Sequence, residues 1–482
     1  ALYAGAIGTN ITNGNGNADL ATTNLLNQSD GNDSGYDIAI NYNVPMTSGD
    51  NTDKDATVAA ATAGDYAPYA FDVNATNGTL KFGTSNAAVN VIVSGDAQLD
   101  LAGVNFNSGS LELNSNNTDG ALLNSASTRS VLFGFDMIQN TIINNTGDIA
   151  LRGGIDNVGS TIFTLTKEGD GSLYLPYFSN TDAATQNSNA VQSAVFTAES
   201  IDWTINNGIV VAADQNFGAR NVTINDGGTL DVSHILRGTS YNSNSQTVDK
   251  NISIAGTGEG GIGAIYSANT TTLGLCNSFN FCHGLNIGGT NNLTLHGDAT
   301  INFAGVTSLR GTVSDGGNDY TLTSIGAGDL RLNTSNTATF TGDFAISNGV
   351  FHMINGSIGS GTLVLGNNST FNVLSDFTSA IRVADSATAI ITNSTTTESG
   401  IDGTLAIGAG ATLNLHGEFD IAGAMSGTGA LNIADADISG VQWSFDDVSE
   451  VTISSADNTY SGAIAVTNSG LRLAANNAVQ SD

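Results

Sequence analysis

The stretch "NTYSGAIAVTNSGLRL" (458–473) repeats the pattern of "ATFTGDFAISNGVFHM" (338–353), 120 residues earlier. Tyr460 falls on Phe340, Gly462 on Gly342, Val466 on Ile346, Asn468 on Asn348 and Leu471 on Phe351. Within each copy the apolar residues alternate, as in Ile464 and Val466 or Phe351 and Met353. That is the period of a strand with one buried and one wet face. A shorter form recurs along the chain, a glycine turn running into two alternating apolar residues. It reads "GDGSLYL" (169–175), "GAGDLRL" (326–332), "GAGATLNL" (408–415) and "GTGALNI" (427–433). The glycines are expected to supply positive φ at tight corners. The repetition is expected to mark rungs that stack on one another.

A second element, "LTLHGDATINFAG" (293–305), is echoed by "LNLHGEFDIAGA" (413–424), with His296 and His416 again 120 apart. Strand-like triplets separated by Gly, Asn or Asp fill most of the chain. A sandwich uses longer strands and more Pro and aromatics. A propeller carries an aromatic signature at each blade, which is missing here. The pattern predicts an all-β fold, a right-handed parallel β-helix (β-solenoid) of roughly twenty coils at about 20–25 residues each. It covers 71–482, with the clearest repeats at 290–480. Residues 1–70 alternate less and hold more Asn and Asp, so they are expected to form an N-terminal cap and irregular first coils. Pairs such as Asn206-Asn207 and Asn367-Asn368 have two readings: amide ladders between rungs, or residues that accept the left-handed turn conformation.

The 482 residues contain 59 Gly but 3 Pro, and 44 acidic against 12 basic residues, for a net charge of −32. Clustered Lys and Arg for nucleic acid or an anionic membrane are lacking, so neither partner is expected. No run of eighteen apolar residues occurs, and the chain opens "ALYAGAIGTN" with neither Met nor a basic leader. A mature secreted chain is expected. Cys276 and Cys282, in "CNSFNFCH", are close enough for a small disulfide loop. Zinc binding with His283 is the other reading, and it lacks a fourth ligand and a metal-site spacing. No metal site and no cofactor are predicted.

The motif at 458–473 with the following "AANNAV", the stretch 326–373 and "LTKEGDGSLYL" (165–175) resemble the passenger-associated repeat of bacterial autotransporters. The likeness is clear over about 290–480 and faint before that. Among such passengers the chain looks most like the AIDA-type adhesins. The resemblance implies a type V secretion passenger, exported through the periplasm and displayed on the outer membrane or secreted, without its C-terminal translocator barrel. It also implies small disulfide loops, and a scaffold more than an activity.

Protease chemistry is not expected. "GNDSGY" (31–36) breaks the Gly-Asp-Ser-Gly pattern at Asn32, and the first histidine is His234. The scaffold and the resemblance point to adhesion to host extracellular matrix, meaning fibronectin-like proteins or glycosaminoglycans. Self-association leading to aggregation and biofilm is the alternative, and a polysaccharide-degrading β-helix the second alternative. Acid pairs such as Asp446-Asp447 are the only hint of the last. Candidate ligand contacts are the scarce cations Arg129 and Arg152 (23 apart), Arg310 and Arg331 (21 apart), Arg237 and Lys250. Asn116 and Asp119 in "NSNNTDG" (114–120) join them as groups for sugar hydroxyls, or simply as turn formers. Differences between the repeat copies, such as Asp343 against Ala463 and His352 against Arg472, are the positions where a function beyond the scaffold is to be sought.

Overall fold

The structure is a computed structural model. It describes the strand segments 19–20, 38–42, 55–58, 71–75 and 79–82. It then describes residues 89–106, 110–157, 161–175, 201–212, 219–235, 247–248, 250–270, 285–287, 292–309, 311–332, 340–353, 356–393, 398–434 and 450–476. The chain divides into two compact units, Ala1–Gly238 and Thr239–Asp482. Both are parallel β-solenoids. Coil length varies, because inserts lengthen individual turns. Leu363 pairs with Ile381 only 18 residues on, whereas Leu165 pairs with Trp203, 38 residues on.

In the first unit one coil runs from Val89–Gly95 to Gln98–Asp100 and on to Phe106, and the next from Leu111–Ser115 to Leu122–Asn124 and Ser130–Leu132. Each segment pairs in parallel with its successor: Val91 with Leu111, Leu99 with Leu122, Phe106 with Leu132. The coil therefore has three faces, called first, second and third in chain order. Leu111 and Leu113 point inward, while Glu112 and Asn114 between them are partly wet. Apolar residues thus stack on apolar residues along the core, and burial of that column favours the fold. Parallel pairing also reaches into residues 1–70, where Asp19–Leu20 pairs with Asp55–Val58 and Ile38–Tyr42 with Phe71–Ala75.

Corners need hydrogen bonds that strands do not supply. Asn124, fully buried, accepts from Gly103 N (2.9 Å) and donates to Thr128 O and Asp148 O. One coil on, Asn145 donates to Gly147 O (2.7 Å). Lys167 is inward-facing and fully buried, and its Nζ donates to the Glu168, Gly169 and Asn207 carbonyls. Both readings of the Asn pairs occur. Asn206 bridges Glu168 and Asn225 as a ladder across three coils, whereas Asn368 sits in the left-handed region at φ 61°.

In the second unit the first face runs through Asp329–Leu332, Gly349–Met353, Ser369–Val373, Thr388–Asn393, Thr412–His416, Ala430–Ala434 and Ile464–Thr467. The third face runs through Phe344–Ile346, Thr362–Leu365, Ala380–Val383, Leu405–Ile407 and Met425–Gly427. Between them in chain order lie Ser399–Ile401, Phe419–Ile421, Glu450–Ile453 and Gly470–Leu473, the second face. A chain of rings fills this core: Phe340, Phe344, Phe351, Phe371 and Phe377 follow one another at 5.0–5.7 Å between centroids.

The two repeat copies are not equivalent rungs. Copy one places Phe344–Ile346 on the third face and Gly349–Met353 on the first. Copy two places Ile464–Thr467 on the first face and Gly470–Leu473 on the second. The same pattern is therefore used one face further round the coil. The shared glycine also has a different role from the one expected. A Cβ at Gly342 would stand 2.4 Å from Tyr320 O, and at Gly462 1.8 Å from Gly429 O. Close approach of the preceding coil, not a positive φ, demands glycine there.

Candidate functional sites

Asn116 and Asp119 are exposed and serve their own turn. With its amide nitrogen turned inward, Asn116 donates to Asp96 Oδ1 (3.2 Å) and Gly95 O of the preceding coil. Asp119 N donates to Asn117 Oδ1 (2.8 Å), and Asp119 O accepts from Asn144 (3.0 Å). Lys250 is buried, 5 % exposed. Arg237, Arg310, Cys276, Cys282 and Asp446-Asp447 lie outside the described residues.

Arg129 and Arg152 stand on the third face of the first unit, but not side by side. Register pairs Ser130 with Ile149 and Leu132 with Leu151. The coil is thus 19 residues here, so Arg129 meets Asp148 and Arg152 falls at the opposite strand end, beside Phe133. Arg129 is engaged twice, 3.4 Å from Asp148 Oδ2 and with its guanidinium 4.2 Å above the Tyr174 ring two coils on. Phe133 is 53 % exposed.

Arg331 belongs to a polar row on the first face of the second unit. Register aligns Ser308, Arg331, His352, Asn372, Thr392 and His416, one per coil. All six occupy outward positions, because the residues flanking each are core. Yet Ser308, Asn372 and Thr392 are more than nine-tenths buried, so the row is recessed. Arg331 donates twice to Asp329 Oδ2, at 2.7 and 3.2 Å. His352 Nε2 lies 3.0 Å from Asp329 Oδ1, and its Nδ1 is 3.1 Å from the Asn372 amide. Burial pushes the Asp329 carboxyl up, but contacts with His352 and Arg331 outweigh it and hold the pKa below its ordinary value. The Thr392 hydroxyl is buried with no hydrogen-bond partner among the described residues. An unmet buried hydroxyl is costly and marks a place where a ligand gains by supplying the partner. His352 is one of the positions where the repeat copies differ. Asn372 and Thr392 carried no sequence signal, since outward Asn and Thr are ordinary in strands.

A carboxylate row also exists. Glu112, Asp136 and Asp156 align on successive coils of the first unit's first face. Burial, and then the Asp156 charge, raise the Asp136 pKa above its ordinary value. On the second unit's second face, burial and the charges of Asp420, Glu418 and Glu450 raise Glu398, with Arg472 opposing. Among the described residues no group of His, Cys, Asp and Glu is arranged to hold a metal ion. No helix there is long and apolar enough to cross a membrane. Comparison with family models, with curated proteins and with solved structures gives no match for this chain.

Proposed function

We propose that the chain is an adhesin passenger, displayed on the bacterial surface or released, that holds a host extracellular-matrix ligand along the first face of its second unit. The observation behind this reading is the recessed row Arg331–His352–Asn372–Thr392–His416. It offers one hydrogen-bonding side chain per coil, at about 4.8 Å intervals. An extended ligand, a matrix polypeptide or a glycan chain, gains from such a row without a deep pocket. Charge favours hydrogen bonding over ion pairing as the main contact. The net charge is −32, and Arg331 and Arg382 are already tied to Asp329 and Asp343. The test is binding of the purified chain to immobilised fibronectin and heparin across a salt series. Retained binding at high salt is expected. A steep loss with salt would shift the contact to cations, and settling of displaying cells without host material would favour self-association.

A second reading, polysaccharide cleavage, is favoured by one observation: the raised Asp136 carboxyl beside Asp156. Their backbones are one coil apart, about 4.8 Å, which admits the carboxyl separation of about 5–5.5 Å used by retaining glycosidases. Release of reducing ends that disappears in Asp136→Asn would support this reading over adhesion.

A further inference from the structure

The third face of the first unit presents a different surface, independent of the row proposed for matrix binding. Its outward residues Val131, Ala150 and Tyr174 are aligned on successive coils and form an apolar floor. Phe133 and Arg152 sit at its edge, each one position past the in-register pair Leu132 and Leu151. The Arg152 backbone N–H donates to Leu132 O at 2.8 Å, fixing that alignment. Two observations distinguish the pair. Phe133 is among the few large apolar residues that are exposed in the described part of the chain. Arg152 has no ion-pair or hydrogen-bond partner for its guanidinium among the described residues, unlike Arg129, Arg331 and Arg382.

We infer that Phe133 and Arg152 form a binding site for one carboxylate-bearing sugar ring. The exposed phenyl face accepts the C–H face of a pyranose. Arg152, whose backbone lies one coil away at about 4.8 Å, offers a planar guanidinium fork that matches a carboxylate. Among the described residues this face carries a single cation with no side-chain partner, so it fits one ring with one charge. A long acidic polymer would cross Asp148 on the same face and meet the repulsion of the whole acidic chain. At physiological salt the Debye length is about 8 Å, so a contact within one coil spacing is governed by Arg152. Arg129 contributes to the shape, holding Tyr174 in place across two coils.

The experiment is ligand-observed NMR on the whole chain with glucuronic acid, N-acetylneuraminic acid and glucose as separate probes. The two acids separate a uronate from a sialate source, and binding of either supports the site. Glucose is expected not to bind. Arg152→Gln and Phe133→Ala are each expected to weaken the acid probe roughly tenfold or more. Arg152→Lys, which keeps the charge and loses the fork, should fall between. Arg472→Gln, an exposed arginine of the other unit, should change nothing. Unaltered thermal unfolding confirms that each variant is folded. Equal binding of glucose, full binding by Arg152→Gln, or complete displacement of the acid by a glutamate-rich peptide would overturn the inference.

Discussion

Copy one of the repeat, 338–353, is core, and copy two, 458–473, is largely surface. Phe344, Ile346, Phe351 and Met353 are all buried in copy one. In copy two Val466 is 42 % and Leu473 53 % exposed. Copy one is covered by the coil containing Leu363, Leu365, Phe371 and Val373, with which its strands pair. Among the described residues no strand pairs with Ile464–Thr467 or Gly470–Leu473 on the side away from Ala430–Ala434 and Glu450–Ile453. The left-handed residue also moves, from Gly349 (φ 84°) to Asn468 (φ 53°). The lesson is that this pattern encodes a strand, a corner and a strand. Which face they occupy, and how deeply, depends on the coils around them.

The largest effect should separate the copies by substitution. Phe351→Ala removes a ring held between Phe344 and Phe371, and is expected to cost about 3–5 kcal/mol. Leu471, its counterpart, is only partly buried, and Leu471→Ala should cost about 1 kcal/mol or less. Denaturant midpoints of both variants check this, and equal shifts would break the comparison.

Copy one is also stapled by a buried carboxylate. Asp315 Oδ2 accepts from Thr341 N (2.9 Å), Thr341 Oγ1 (2.8 Å) and Gly342 N (2.9 Å), and Oδ1 accepts from Gly317 N (2.9 Å). Burial alone would raise its pKa, but these bonds together bring it from 3.8 down to about 2. A depressed folded pKa contributes stability above the ordinary value that is lost as pH falls from about 4 through 2. The contribution at neutral pH is about 2 kcal/mol. Asp315→Asn should lose that amount and flatten the stability profile between pH 4 and 2, as followed by acid titration of the unfolding midpoint.

A smaller reciprocal exchange sharpens the comparison. Tyr460 donates to Gly429 O at 2.7 Å and lies within 3.1 Å of Ala463 O, and burial pushes its pKa up to about 12. Tyr460→Phe should cost about 1 kcal/mol. Phe340→Tyr, which buries a hydroxyl in an aromatic cluster, should cost more, about 1–3 kcal/mol. The smallest effect is expected from Asn432→Ala, which removes one 3.0 Å rung bond to Asn414 at the partly wet surface, about 0.5–1 kcal/mol.

Much of the scaffold was legible. Alternation in "DLRL" and "ALNI" gave strands, and glycine corners gave a coil, because both follow from local sterics. Register was not legible, because it depends on the length of each coil. Arg129 and Arg152 are 23 apart on a coil of 19, and Arg331 aligns with Ser308 on a coil of 23. The recessed row showed in the sequence through Arg331, one of the scarce cations, and through His352, where the copies differ. Burial of Asn372 and Thr392 arises from how successive coils meet, which no local pattern records.

The central claim is that the recessed row, and not the polar ladder beside it, holds the matrix ligand. Binding to immobilised fibronectin or heparin should be compared for His352→Ala combined with Asn372→Ala, and for Asn414→Ala combined with Asn432→Ala. The account predicts at least a roughly tenfold loss for the first pair and near-native binding for the second, since each lost hydrogen bond is worth about 0.5–1.5 kcal/mol. Equal binding by both double variants would contradict it.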